Sequence, residues 1–148
     1  MTAKEFMNRP FELNRIIRTK TRQLESLRSI TTSVSLAMSG MPHSPSPDPH
    51  RTEALMVRVI SLEQEIADAT QQLDKAIAEV TQAIKAINNP TCEDVLTARY
   101  LCFEDWVSIA AERNFSRDWV MRLHRKGLNL VKIDSSLHES TSVYASST

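Results

Sequence analysis

Four cations lie within ten positions near the C-terminal end of the chain, at Arg117, Arg122, Arg125 and Lys126. A guanidinium group donates two parallel hydrogen bonds to a carboxylate, a phosphate or the O6/N7 edge of guanine. The segment follows directly on Asn114-Phe115-Ser116, where a helical pattern stops and restarts. Residues 113–133 therefore combine a break between two helices with side chains suited to binding anions or base edges.

Other reactive side chains do not assemble into a recognisable site. Cys92 and Cys102 lack zinc-ligand spacing with each other and with the four histidines, and we expect both to be reduced and ordinary. Ser108 and Ser116 have no accompanying His and Asp to activate a nucleophile. The sequence predicts no catalytic group, no metal and no cofactor, hence a protein that is not an enzyme.

The formal net charge of zero hides a strong sorting of charge along the chain. Residues 1–28 hold seven Lys/Arg and three acids, a net charge of +4, whereas residues 89–112 carry −4. Residues 113–133 carry +5, with six Lys/Arg against Asp118. Such sorting determines where a polyanion can bind.

Composition favours helices. The chain has 148 residues, 5% aromatic residues and two glycines, which argues against a β-sandwich or a glycine-rich phosphate loop. No apolar run approaches the roughly 20 residues of a membrane span, and the N-terminal residues are too polar for a signal peptide. We expect an all-α, soluble, cytoplasmic protein.

Residues 1–89 predict a helical hairpin. A basic N-terminal helix occupies residues 1–39, its apolar spacing clearest over 11–38, and a proline-rich loop occupies 40–50. In the second helix, residues 51–89, apolar residues recur at alternating steps of four and three from Leu55 to Leu73 and continue to Ile87 after a one-residue slip. Neither helix can bury its row of apolar residues by itself. We expect the two to pack antiparallel, and a homodimer through residues 11–88.

Residues 90–133 predict three short helices. Thr91 is expected to cap the first, and the second and third have helix-turn-helix spacing. Asn114 suits the left-handed conformation usual in such a turn. The predicted core of this domain comprises Trp106, Ile109, Ala110, Asn114, Phe115, Val120, Leu123 and Leu128. Residues 134–148 are rich in Ser and Thr and are predicted to be disordered.

If the third helix turns its apolar residues inward, its polar residues face outward at its start, where a recognition helix enters the major groove. The candidate DNA-binding residues are Ser116, Arg117, Asp118, Trp119, Met121, Arg122, Arg125 and Lys126. The alternative is that the cations of the third helix form an ordinary basic surface that is solvated and binds no DNA. We expect Trp119 to pack against the first helix of the domain; the alternative is that it contacts DNA. We expect His124 to be a core or backbone-bonded imidazole rather than a metal ligand.

The segment LTARYLCFEDWVSIAAERNFSRDWVMRLHRKGLNLV resembles region four of bacterial sigma factors. A fuller resemblance, over about residues 4–133, is to phage and prophage transcriptional regulators of Gram-positive bacteria, the ArpU/RinA-like family. It includes the segments LESLRSITTS and DPHRTEALMVRVISLEQEI. The matching residues are Leu96, Arg99, Tyr100, Trp106, Ile109, Ala110, Ser116, Val120, Leu123, His124 and Leu128.

The resemblance implies binding to double-stranded DNA and control of transcription with host RNA polymerase. Asn114 stands where Gly is common and Gly127 where Ala is common, which bears on stability. Trp119 stands where sigma factors commonly have Thr, which bears on base preference. The chain lacks a basic, aromatic region that could melt a promoter, so we do not expect it to act as a sigma factor unaided. The alternative function is a protein-interaction module that uses the hairpin and the sigma-like domain to bind RNA polymerase or another partner.

Overall fold

A computed structural model describes residues 1–40 and 49–133, and the regular secondary structure within those ranges is all α-helix. Five helices follow in order: α1 Ala3–Gly40, α2 Pro49–Lys85, α3 Pro90–Tyr100, α4 Trp106–Arg113 and α5 Arg117–Leu130. The prediction of an all-α protein is confirmed. None of the described helices is both long enough and apolar enough to cross a membrane.

The proline-rich loop is shorter than predicted at both ends. Gly40 belongs to α1, and Pro49 and His50 belong to α2. Proline is tolerated in the first turn of a helix, where its missing N–H would have no partner, so Pro49 can begin α2. The remainder of the predicted loop, residues 41–48, and the predicted disordered tail, residues 134–148, lie outside the described residues.

Helix α1 begins eight residues before the apolar spacing that predicted it. Thr2 and Glu5 form a reciprocal cap, in which the backbone N–H of Thr2 donates to Glu5 Oε2 at 2.8 Å and the N–H of Glu5 donates to Thr2 Oγ1 at 3.2 Å. Pro10 lies inside the helix and cannot donate to the carbonyl of Phe6. Arg9 Nε donates to that carbonyl instead, at 3.2 Å, which satisfies it and helps the helix continue through the proline.

The end of α2 and the start of α3 also differ from the prediction. Helix α2 ends at Lys85 rather than at residue 89, because Asn88 has a positive φ of 53° that a continuing α-helix cannot contain. Asn89, not Thr91, caps α3: its side chain accepts a hydrogen bond from the backbone N–H of Cys92 at 3.2 Å. Pro90 then occupies the first turn of α3.

The chain divides into two compact units, and both long helices contribute to each. The first unit contains Met1–Glu12 and the chain from Asp74 onward, and the second contains Leu13–Leu73. The compact unit that holds α3, α4 and α5 is therefore larger than the predicted domain of residues 90–133. It also includes the first turns of α1 and the last turns of α2.

In the second unit, ion pairs join α1 to α2. Lys20 Nζ lies 2.9 Å from Glu65 Oε2, and Arg28 Nη2 lies 2.6 Å from Glu63 Oε1. The partners run in opposite order along the two helices. The buried apolar residues of this unit are Leu24 of α1 with Leu62 and Ala69 of α2.

In the first unit, the beginning of α1 takes part in the core. Phe6 and Met7 are buried in one cluster with Val80 and Ile84 of α2 and with Leu96 and Tyr100 of α3. Leu128, Val131 and Ile133 pack against the same cluster. Arg9 closes the edge through an ion pair with Glu79, at 2.6 Å. The helices that carry the candidate interface thus rest partly on the N-terminal residues of the chain.

Candidate nucleic-acid interface

Helix α4 is fixed at its start by Asp105. The carboxylate of Asp105 accepts a hydrogen bond from the backbone N–H of Ser108 at 2.7 Å, which makes Asp105 the N-cap. Hydrogen bonds from Ser108 also hold the pKa of the Asp105 carboxyl below its ordinary value. The capped helix then runs for eight residues to Arg113.

A three-residue turn joins α4 to α5. Asn114 adopts the left-handed conformation, with φ 54° and ψ 36°, as the sequence predicts. The backbone N–H groups of Asn114 and Phe115 donate to the carbonyls of Ala111 and Ala110, respectively, which closes the end of α4. Ser116 is the N-cap of α5, and its hydroxyl accepts from the backbone N–H of Trp119 at 3.2 Å. The turn therefore has defined hydrogen bonds on both sides.

The inner face of α5 packs on α3 and α4. Val120 and Leu123 are buried in a cluster with Ile109 of α4 and with Cys92, Val95 and Ala98 of α3. Trp106, Ala110 and Phe115 pack against this cluster and stay partly exposed. Gly127 is also buried; a Cβ atom there would lie 2.8 Å from Leu96 Cδ1. A side chain at position 127 would therefore require the Leu96 side chain to shift.

Two predicted core residues lie elsewhere. Asn114 is exposed, so its contribution is the left-handed backbone of the turn and not burial. Leu128 is half-buried and packs against the cluster that contains Phe6 and Tyr100, not against the cluster beneath the turn. Because Leu128 lies about one and a half turns beyond Leu123, it reaches a different part of α3 and the start of α1.

His124 is a core residue, as expected, but its partner is a side chain. Its Nε2 atom lies 2.6 Å from the hydroxyl of Tyr100, and its ring packs edge-on against Trp106 with centroids 4.7 Å apart. Burial, together with the nearby cations Lys4, Arg99 and Arg125, lowers the pKa of His124 to about 4. The imidazole is therefore neutral at physiological pH and adds no charge to the interface.

The outer face of α5 carries the predicted contact residues. Seven of the eight are exposed, namely Ser116, Arg117, Asp118, Trp119, Arg122, Arg125 and Lys126. Met121 is only partly exposed, at the edge of the face. Trp119 is 45% exposed, so part of the indole is on the surface, and its packing against the first helix of the domain stays a prediction. The inner face of α5 is filled by Val120 and Leu123.

The four cations of this face form no ion pair with any described carboxylate. Arg113, at the end of α4, is the opposite case. Its Nη2 donates to Asp94 Oδ1 at 3.0 Å, and Glu104 and Glu112 lie within 3.9 Å of Nη1. The hydrogen bonds that Arg113 donates to Asp94 raise the pKa of Arg113 and lower the pKa of Asp94. Asp94, Glu104 and Glu112 thus surround Arg113, and none of the described acids pairs with the α5 cations.

Sequence reasoning missed the part that the N-terminal residues play beneath this interface. Lys4 is close enough to His124 to lower its pKa, and Phe6 and Met7 support Tyr100, the hydrogen-bond partner of that histidine. The capping-box pattern Thr2-x-x-Glu5 indicates where the helix starts, but it does not indicate that Phe6 and Met7 are buried. Within residues 1–40 and 49–133, no group of three or more His, Cys, Asp or Glu is placed to hold a metal ion.

Comparison with known proteins gives no match to a family model, to a curated protein or to a solved structure.

Proposed function

We propose that the protein binds double-stranded DNA through α5, with α4, the turn and α5 acting as a helix-turn-helix. In this proposal α5 is the recognition helix and the paired stretches of α1 and α2 are a helical hairpin. A single observation carries it: four cations share the exposed face of one helix, and none is neutralised by a described carboxylate. Unpaired cations can neutralise phosphates and release counterions, which is the main source of affinity in such complexes.

The arrangement of α5 supports contacts with both the backbone and the bases. Arg117 lies in the first turn, where the helix dipole and free N–H groups also favour a phosphate. Arg122 lies further along the exposed face, where its guanidinium can reach the O6 and N7 atoms of guanine. The major groove is about 12 Å wide and accepts one α-helix. The exposed Trp119 offers an apolar surface to a sugar or a thymine methyl group.

Asp118 fits a role in selectivity rather than in affinity. Its carboxylate is exposed on the same face, where it would repel phosphate. A carboxylate in the major groove can accept a hydrogen bond from cytosine N4. We therefore assign affinity to the cations, and sequence preference to Asp118 together with Arg122.

The regulatory setting rests on the resemblance of the sequence alone. ArpU/RinA-like regulators and sigma region four suggest a phage regulator in the bacterial cytoplasm that acts with host RNA polymerase. The proposed division of labour is that α5 selects the DNA and another surface of the chain contacts the polymerase.

A salt titration of DNA binding tests the proposal. The full chain is titrated into a fluorescent mixed-sequence duplex, and the association constant is measured by anisotropy at several NaCl concentrations. If each of the four cations meets one phosphate, the log–log slope is roughly −3 to −4. Selection of bound sites from random duplexes then gives the preferred sequence. Absence of binding at low salt would exclude the DNA interface and favour the protein-interaction alternative.

A further inference from the structure

Helix α2 exposes large apolar side chains within the second compact unit. Met56, Val57 and Ile60 are 53%, 60% and 64% exposed. Large apolar residues scattered singly on a surface are ordinary, but these three lie within five consecutive residues of one helix. The grouping points to a contact surface.

The exposed residues belong to a second stripe with coiled-coil spacing. Val57, Ile60, Gln64, Ala67 and Gln71 follow one another at steps of three and four, and all five are exposed. We call these five residues the outer seam. Residues two positions apart point about 200° apart on an α-helix. The outer seam therefore lies opposite the inner stripe of Leu55, Val59, Leu62, Ile66 and Ala69, which is buried or half-buried.

This finding changes the surface available for the predicted homodimer. The sequence assigned dimerisation to the stripe from Leu55 to Ile87, but Leu62, Ala69, Val80 and Ile84 of that stripe are buried within the chain. We infer that Val57 and Ile60, at the start of the outer seam, bind the same two residues of a second copy of this chain, in antiparallel orientation about a two-fold axis. The inference concerns the protein alone and does not depend on DNA binding.

The order of charged and apolar residues favours the antiparallel arrangement. With the axis between residues 58 and 59, Val57 of one copy meets Ile60 of the other, and Glu53 meets Gln64. Apolar residues then contact each other at the centre, and a carboxylate meets an amide that can donate to it. A parallel pair would instead place Glu53 against Glu53 and bring Glu63 next to Asp68, and like charges at such positions repel.

The size of the seam limits the strength of the contact. Stable interfaces bury about 1,200–2,000 Å² in total, and three large apolar residues per copy supply only part of that area. The dimer should therefore be weak and depend on protein concentration. Two copies brought together on one ligand would gain through effective concentration.

Sedimentation velocity across a protein concentration series tests the inference. We expect the full chain to shift from monomer towards dimer as concentration rises. Ile60→Glu should lower the association constant by at least about tenfold, since it places a carboxylate at the centre of the contact. The matched control is Val107→Glu, because Val107 is 68% exposed on α4 in the other unit. It should behave like the unchanged chain.

Circular dichroism establishes that both variants remain helical, which the exposure of both positions predicts. A chain that stays monomeric at the highest concentration would overturn the inference. Equal association of Ile60→Glu and the unchanged chain would also overturn it.

A distance measurement tests the orientation. A spin label is attached to Gln71→Cys in a Cys102→Ser background, which removes the exposed native thiol. In the antiparallel dimer the two labelled positions lie about 37 Å apart along the helices, from a rise of 1.5 Å per residue. In a parallel dimer they lie about 10 Å apart, the usual spacing of packed helices. The short distance would contradict the arrangement inferred here.

Discussion

Two segments of this chain carry a similar excess of positive charge, but the structure treats them differently. Residues 1–28 hold seven Lys/Arg. Arg9, Lys20 and Arg28 each bond a glutamate of α2. The four cations on the exposed face of α5 bond none of the described carboxylates. Net charge along a sequence therefore does not identify a polyanion-binding surface, because it does not show which cations are already paired.

The two segments also differ in what holds their cations in position. In α1 three cations are fixed by ion pairs with a neighbouring helix. In α5 they stand on a helix whose opposite face is buried against Ile109 and the residues of α3. The acids of residues 89–112 do not reach α5, since Asp94, Glu104 and Glu112 gather around Arg113. The α5 cations are therefore held in position by the packing of the helix that carries them, and not by ion pairs.

Removing a buried side chain beneath α5 should have the largest effect. Ile109 is fully buried between α3 and α5, so Ile109→Ala should lower the free energy of unfolding by about 2–5 kcal/mol through lost contacts and a cavity. Urea denaturation measures it. Val107→Ala, on the exposed side of the same helix, should change stability by about 0.5 kcal/mol or less. Equal stabilities of the two variants would mean that α5 does not depend on this core.

Because the imidazole of His124 is buried in this part of the protein, the free energy of unfolding should depend on pH. Because the pKa of His124 falls from 6.5 to about 4 on folding, the unfolded chain binds the proton more tightly. The stabilising contribution of neutral His124 is complete above pH 6.5 and is lost as pH falls towards 4, by about 3 kcal/mol in all. Urea denaturation from pH 7 to 4 measures the loss, and His124→Gln should reduce its slope. An unchanged slope would assign the acid sensitivity to other groups.

The exposed side of α5 should affect binding without affecting stability. Arg117→Ala and Arg122→Ala should each cost about 1–3 kcal/mol of DNA binding if the residue reads a base, and less if it contacts phosphate alone. Their unfolding curves should overlay that of the unchanged chain, because both side chains are exposed and neither pairs with a described carboxylate. Anisotropy with the selected DNA site measures the loss. Undiminished binding by both variants would remove α5 as the interface.

An ion pair of α1 should have the smallest effect. The side chains of Arg28 and Glu63 are 57% and 46% exposed, so their pair is well solvated. Arg28→Ala should lower the free energy of unfolding by about 0–1 kcal/mol, as exposed pairs generally do. A loss comparable to that of Ile109→Ala would show that pairing matters in α1 as much as packing does beneath α5.

Local sequence signals were sufficient for the turn between α4 and α5. Asn114 and Ser116 have backbone preferences that depend little on the rest of the chain, and both were placed correctly. The burial of Val120 and Leu123 followed from helical spacing. These features are local, so one stretch of sequence contains the information that specifies them.

The features that were missed depend on residues distant in sequence or on unusual hydrogen bonds. Helix α1 continues through Pro10, where Arg9 donates a hydrogen bond to the Phe6 carbonyl, to which the proline cannot donate. The contribution of Phe6 and Met7 to the core of α3 requires contacts across about 90 residues of sequence.

The salt dependence of DNA binding, compared between two variants that each lose one positive charge, tests the central claim most directly. Arg117→Ala removes a cation of α5 that pairs with no described carboxylate, and Arg28→Ala removes a paired cation from α1. If α5 is the interface and Arg117 meets a phosphate, Arg117→Ala should reduce the log–log slope by about 0.9 relative to the unchanged chain. Arg28→Ala should leave the slope unchanged. Equal slopes for the two variants, or a reduction only in Arg28→Ala, would contradict the account.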